Sequence, residues 1–522
     1  MNGSRSRTLH TMINAVAAAT SHVGSSLLGL LATPFILQAL GLQAYGLWAF
    51  AMSFRYLLSV SDLGLAQTYY RFVPFYAARD EKHKVRQIAT FGILFYIGLG
   101  TIISPIVLLA APFAMSALHL TEPLKSAAPL FLTEFTALFF LTYAFRTLGW
   151  LLTGIGELKL SSFYDAIGQT SFSIFAVIFT RLFHFGMNGM LLALIIQLAI
   201  TTVLTYAMVR RRFGPLYVNP FRLEGSVIMP LFKLGGWLQL GTLASLLSGE
   251  SDQIVIGVLF GIDAVGLYEV GAKIARAIKA QGWYVFSAFA PAVSALQAQE
   301  GDARLNDGLL RLNRYVGMLS FGTTGFAIAF ASYILVVWLG PTYGQNPVII
   351  GTVVILGTAY AFDVMSGGAI TILNVMNRPR YQAYAAGIGL AVHVIFTLVL
   401  SRFFGVLGAI SGNLIASIVV GVYFNRIFYP LRGLSLMRDF GALVGKLVLA
   451  VIISAGLSVA LTSGLPHSFA NERLNSIVHL IVGGTIYTGL MLWSLRLLSV
   501  LHVNDISLVT TLLPKRLRVA PR

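Results

Sequence analysis

The chain has 522 residues, of which 57% are hydrophobic and only 11% charged, and its mean hydropathy is +0.80. No soluble domain of this size has that composition, so the chain reads as a polytopic membrane protein. The net charge of +17 would point to nucleic acid in a soluble protein, and the absence of cysteine excludes disulfides, thiol nucleophiles and cysteine metal sites.

The opening MNGSRSR precedes an apolar run from Met12 to Leu40, too long for a cleavable signal and therefore read as the first membrane helix. Spanning segments follow near 44–76, 88–111, 127–154, 162–182 and 188–209. A second series lies near 227–259, 264–298, 314–339, 347–376, 383–403 and 406–429, and a final pair near 440–462 and 475–500. The expected fold class is all-α and polytopic, with about fourteen transmembrane helices and short connections.

Basic residues set the orientation. With the N-terminus in the cytoplasm, Arg5 and Arg7, the loop RDEKHKVR at 79–86, Arg210 to Arg212 and Arg222 all lie inside. So do Arg304, Arg311, Arg314, Arg378, Arg380, Arg426, Arg432, Arg438 and the tail KRLRVAPR, whereas the outer loops carry only Lys125, Arg181, Arg402 and Arg473. This asymmetry predicts cytoplasmic termini and explains most of the +17 without nucleic acid.

The two series of six are copies. Ala39–Ala51 aligns with Leu259–Gly271 at an offset of 220, matching Gly41, Ala44, Gly46 and Leu47 to Gly261, Ala264, Gly266 and Leu267. Tyr164 and Ala166 match Tyr384 and Ala386 at the same offset, and Phe185, Gly186 and Gly189 match Phe404, Gly405 and Gly408 at 219. The domain expectation is a six-helix lobe at 1–215, a second at 216–432, and two extra helices with a basic tail at 433–522. An even number of helices per copy relates the lobes by an axis along the membrane normal, with a substrate path between them.

Val265–Trp283 concentrates charge within a spanning segment: Glu269, Lys273, Arg276 and Lys279 share one helical face. Each cation at membrane depth costs roughly 2.5–3.5 kcal/mol on insertion scales, so the face needs acidic partners, water or an anionic ligand. Arg55 maps one position from Arg276 in the other copy, and Arg146 lies in the fourth helix. These five cations are the anion-binding candidates. Counting from a turn at Asp263 puts Asp252 level with Lys273, so Glu250 and Asp252 are expected to pair with Lys273 or Arg276 and, with Glu269, to tune the charge.

Ser25 in the first helix and Ser245 in the seventh fall at equivalent positions of two polar stripes, which suit either helix packing or a water-filled cavity. Asp252, Asp363, His393 and Asn413 are candidates for a Na+ or H+ coupling site, the alternative being separate packing hydrogen bonds. No phosphate-cradling glycine loop, metal-spaced cluster or nucleophile elbow occurs. Transport fits this pattern; bond-breaking chemistry, an enzyme role and a resident cofactor or metal do not.

TPFILQALGLQAYGLWAF followed by SDLGLAQTYYRF, with GIGELK at 154–159 and the FG-x-x-G starts of helices six and twelve, resembles the polysaccharide transport branch of the multidrug/oligosaccharidyl-lipid/polysaccharide exporter superfamily. The resemblance spans nearly the whole chain. It implies two six-helix bundles around a central cavity and a flippase for a polyprenyl-pyrophosphate-linked oligosaccharide, the repeat unit of a lipopolysaccharide or exopolysaccharide, in the bacterial inner membrane. Arg55, Lys273 and Arg276, helped by Arg146 and Lys279, would then bind the pyrophosphate. Membrane lipids and a polysaccharide polymerase or glycosyltransferase are the implied partners. A multidrug or cation exporter of the same superfamily, and a non-transporting subunit of a polysaccharide synthase, are the rival readings.

Overall fold

A computed structural model of the protein describes residues 23–501 apart from 117, 217–222, 300–301, 376–379, 466–468 and 470, without side chains for 240–251 and 283–305 among others. Among the described residues there is no strand. Among the described residues, every expected spanning segment falls on a helix or on a helix with one break, consistent with the count of fourteen; residues 12–22 of the first segment lie outside them. Eight helices among the described residues are long and apolar enough to cross a membrane individually, nine if one bent pair is a single span.

The first helices are α1 (Val23–Leu40), α2 (Leu42–Leu58), α3 (Leu65–Ala78), α4 (Lys82–Ser116), α5 (Leu124–Gly154), α6 (Leu158–Val177) and α7 (Gly186–Phe213). Then come α8 (Gly225–Phe260), α9 (Ile262–Gln299), α10 (Asp302–Ala329), α11 (Ala331–Leu339) and the single turn α12 (Pro341–Gly344). The last are α13 (Pro347–Met365), α14 (Gly367–Val375), α15 (Arg380–Leu431), α16 (Ala442–Thr462) and α17 (Glu472–Leu497).

The breaks have local causes. The D-x-G-L run is the interruption between α2 and α3: Ser59–Asp62 tightens into a 3-10 turn, and Leu63 and Gly64 take positive φ of 52° and 72°. The Asp62 carboxylate caps α3 at the Ala66 N–H, 3.4 Å away, and accepts the Tyr96 hydroxyl proton. Gly64 is required because a β-carbon there would stand 2.1 Å from the Gly235 carbonyl oxygen of α8. In α15 the break is Gly405, at φ 58° and ψ −138°, which separates the two spans read at 383–403 and 406–429. α10 and α11 meet at a 73° bend. α13 starts cleanly because Asn346 caps the N–H groups of Val348 and Ile349 with Pro347 at the first helical position.

The helices divide into two compact units, one holding Met1–Lys273 with Ala386–Gly412, the other Ile274–Ala385 with Asn413–Arg522. The core of the first is aromatic: Tyr69, Tyr96, Phe139, Phe140 and Trp150 are buried with Ile88, Leu148 and Leu151. In the second, Leu447 and Ala450 of α16 and Tyr487, Met491 and Leu495 of α17 close over Phe321, Phe330 and Met365. Tyr487 donates to the Gly322 carbonyl oxygen at 2.9 Å, so the two extra helices are part of that unit's core.

Candidate functional site

In the first unit the repeat-related starts of α2 and α9 lie directly against each other. A β-carbon at Gly46 would stand 2.2 Å from the Ile262 carbonyl oxygen, and one at Gly266, its repeat equivalent, 2.8 Å from Leu42. Small residues at this crossing allow backbone approach, as membrane helix pairs require. Gln43 donates to Asp263 at 3.1 Å, another pair separated by the repeat offset, and accepts from the Thr121 hydroxyl at 2.7 Å.

That crossing sets where the rest of α9 reaches. Two turns on, the half-buried Lys273 donates to the Thr33 hydroxyl of α1 at 2.9 Å and lies 5.4 Å from the centre of the Tyr45 ring. Between crossing and lysine, Tyr268 and Glu269 turn to α8. Tyr268 donates to Asp252 Oδ2 at 2.8 Å, and the Gln253 amide donates to the Glu269 carboxylate. Asp252 Oδ1 is 2.6 Å from His393 Nε2 of α15. Asp252 and His393 are each 2% exposed.

Asp252 thus has Tyr268 and His393 as partners beyond the Lys273 or Arg276 with which the sequence reading pairs it. α8 ends at Phe260 and α9 begins at Ile262, so the connection lies at Gly261, two residues before Asp263. Moving the turn back brings Asp252 towards the level of Tyr268. Of the coupling candidates, Asp252 and His393 meet in the first unit, and within the second unit Asp363 pairs with Lys279 at 2.6 Å.

Arg55 and Arg146 both belong to the first unit. Both act electrostatically on the Tyr143 hydroxyl, as does Asp62, and Arg55 also lies 5.3 Å from the Tyr56 ring centre. Arg55 is half-buried and Arg146 exposed, and among the described residues neither takes part in an ion pair. Tyr143 packs edge-on against Tyr96 and Trp150, centroids 5.5 and 5.9 Å away, so an aromatic wall stands beside the guanidinium groups.

In the second unit Arg276 is half-buried, and Lys279 has the Tyr360 ring 4.4 Å away in addition to Asp363. Its charge is thus compensated inside the protein, which weakens its place among the anion-binding candidates. Ser25 donates to Gln169 Oε1 at 3.2 Å, a packing hydrogen bond between α1 and α6. The side chains of Ser245 and Glu250 lie outside the described residues. Among the described residues no three histidine or acidic side chains are grouped as a metal would need.

Sequence reasoning passed over Asp62, Tyr143, Tyr268 and Gln253. Asp62 had a signal, its place in the D-x-G-L run. The tyrosines and Gln253 carry none, because such residues are common at helix contacts of every kind.

The chain's all-helical, multi-pass fold is one that solved membrane transporters share. Its fold matches the lipid II flippase MurJ in an inward closed conformation, with a TM-score of 0.69 at 12% identity over 92% of this chain and 99% of that one. It also matches an inward-facing multidrug resistance MATE family transporter of the MOP superfamily, with a TM-score of 0.63 at 15% identity over 80% and 95%. An uncharacterised membrane protein of Methanocaldococcus jannaschii is 23% identical over 87% of this chain and 89% of its own length. The family model for polysaccharide biosynthesis proteins matches residues 12–297, and the chain belongs to that family.

Proposed function

We propose that the protein moves a polyprenyl-pyrophosphate-linked oligosaccharide, the repeat unit of a cell-surface polysaccharide, from the inner to the outer leaflet by alternating access. The observation that carries this reading is the pair Arg55 and Arg146, two guanidinium groups on spanning helices beside one tyrosine, with no ion pair among the described residues. A pyrophosphate must shed water to cross a membrane, and planar arginine donors in a low-dielectric cavity replace that water bidentately. Lys273, held by a hydroxyl and a ring, is the third donor in the same unit. Tyr143 and its aromatic neighbours offer flat faces on which sugar rings stack.

Two six-helix lobes at 1–215 and 216–432 would rock against each other about the Gly46–Gly266 crossing. The inside excess of arginine and lysine supports a bacterial inner-membrane location with both termini in the cytoplasm, where a glycosyltransferase supplies cargo and a polymerase across the membrane consumes it. The cation-exporter reading loses support because Asp252, its best cation attractor, is engaged by His393 and Tyr268.

The test is transport of a fluorescent polyprenyl-pyrophosphate glycan by purified protein in vesicles. Arg55→Ala and Arg146→Ala should each slow flipping at least tenfold, the loss expected for one charge-assisted bond of ~1.5–3 kcal/mol. Wild-type rates in the double variant would refute the assignment.

A further inference from the structure

We propose that Asp252, His393 and Tyr268 form the site that carries the coupling proton, so that H+ rather than Na+ drives the flip; the coupling role rests on the transport reading above. Asp252 lies nine residues before Gly261, about 13 Å along the helix at 1.5 Å per residue, which places it deep in a hydrocarbon core about 30 Å thick. At that depth a titratable pair is costly and is kept where it does work.

The geometry selects the ion. Na+ is a hard cation that needs several oxygen lone pairs facing it, as do its divalent relatives. Here the Tyr268 hydroxyl donates to Oδ2 at 2.8 Å and the imidazole Nε2 stands 2.6 Å from Oδ1, so both carboxylate oxygens already face a hydrogen-bonding partner. An imidazole nitrogen is also a poor partner for Na+ and a good one for H+. The second carboxylate nearby, Glu269, is engaged by the Gln253 amide, and Lys273 follows one turn further along α9.

The proton count is one. The carboxylate with a neutral imidazole carries one net negative charge; taking up one H+ gives an imidazolium–carboxylate pair of net charge zero, and release to the other side restores the first state. The loaded pair is a charge-assisted bond tying α8 to α15, and the unloaded pair holds them less firmly. Tyr268 lies five residues from Lys273 on α9, so a change in that bond acts on the helix that carries an anion-binding candidate.

The experiment imposes either a pH gradient or a Na+ gradient across vesicles with membrane potential clamped, and compares flipping with and without it. One proton per cycle predicts up to about tenfold outward accumulation per pH unit, no response to Na+, and a gradient ratio of one in Asp252→Asn and His393→Gln. Tyr268→Phe, which keeps the ring, should shift the pH midpoint of the response. A Na+ response, or a pH response unchanged in His393→Gln, overturns the proposal. A cargo-free measurement separates this from failure of the flippase reading: 15N spectra of imidazole-labelled protein should show one histidine signal that is absent in His393→Gln and whose titration moves in Tyr268→Phe. If the His393 signal does not titrate, or titrates identically in Tyr268→Phe, the proton site is wrong whether or not any lipid is flipped.

Discussion

A methyl group at Gly46 would meet the Ile262 carbonyl oxygen at 2.2 Å, and backbone cannot swing aside as a flexible side chain can. Gly46→Ala should therefore cost ~1–3 kcal/mol, the usual range for overpacking, and lower the thermal midpoint of the purified protein. Gly98→Ala is the control, since nothing lies within 4 Å of its new methyl group and the midpoint should hold. Charge at single residues follows the same local logic. Lys279 is matched by Asp363 and Arg212 by Glu157 at 2.7 Å, so these cations serve the protein itself. Arg55 and Arg146 take part in no ion pair among the described residues, which is why the transport test is aimed at them.

Side chains from two other helices converge on the break between α2 and α3. Its freed carbonyls at Ser59 and Val60 accept from the Gln239 amide of α8 at 3.4 and 3.1 Å, and its Asp62 accepts from Tyr96 of α4. Broken spans are tolerated in membranes only where neighbouring helices satisfy such groups. Gln239→Leu should thus destabilise the break by ~1–3 kcal/mol, the cost of buried acceptors left unpaired. Hydrogen exchange at residues 59–66 should accelerate while exchange in the α16–α17 pair stays at the wild-type rate. A uniform acceleration would mean that Gln239 supports the whole unit rather than this break. α16 and α17 are elements with no repeat counterpart, yet Tyr487 and Leu447 enter the core of the second unit.

For the whole molecule, the charge asymmetry makes a topological prediction that the cysteine-free chain makes easy to check. A cysteine at the exposed Gly464, between α16 and α17, should react with an impermeant maleimide added outside intact cells. A cysteine at Lys82, at the start of α4, should react only after permeabilisation. The reverse pattern would invert the protein and with it the direction assigned to transport. Family membership and the MurJ- and MATE-like fold make multi-pass insertion secure, and orientation is the part that labelling decides.

Apolar spans were legible in the chain because they are written in local pattern, as run length. The break between α2 and α3 was not, since 44–76 reads as one apolar segment. Gly46 and Gly266 match at the repeat offset, and their contact is decided by packing. Partner choice was not legible either. Asp252 and His393 could each be singled out as buried polar residues, but 141 positions separate them, and their meeting depends on how α8 and α15 are rotated about their own axes. Hydropathy is silent on rotation, since a spanning helix is apolar nearly all round. A two-residue shift of the turn, to Gly261 from Asp263, moved the level of Asp252 from Lys273 towards Tyr268. The sequence by itself determined a multi-pass membrane chain with cations in its spanning segments. Only lateral packing decided which of those cations are matched within the protein and which charges stand together.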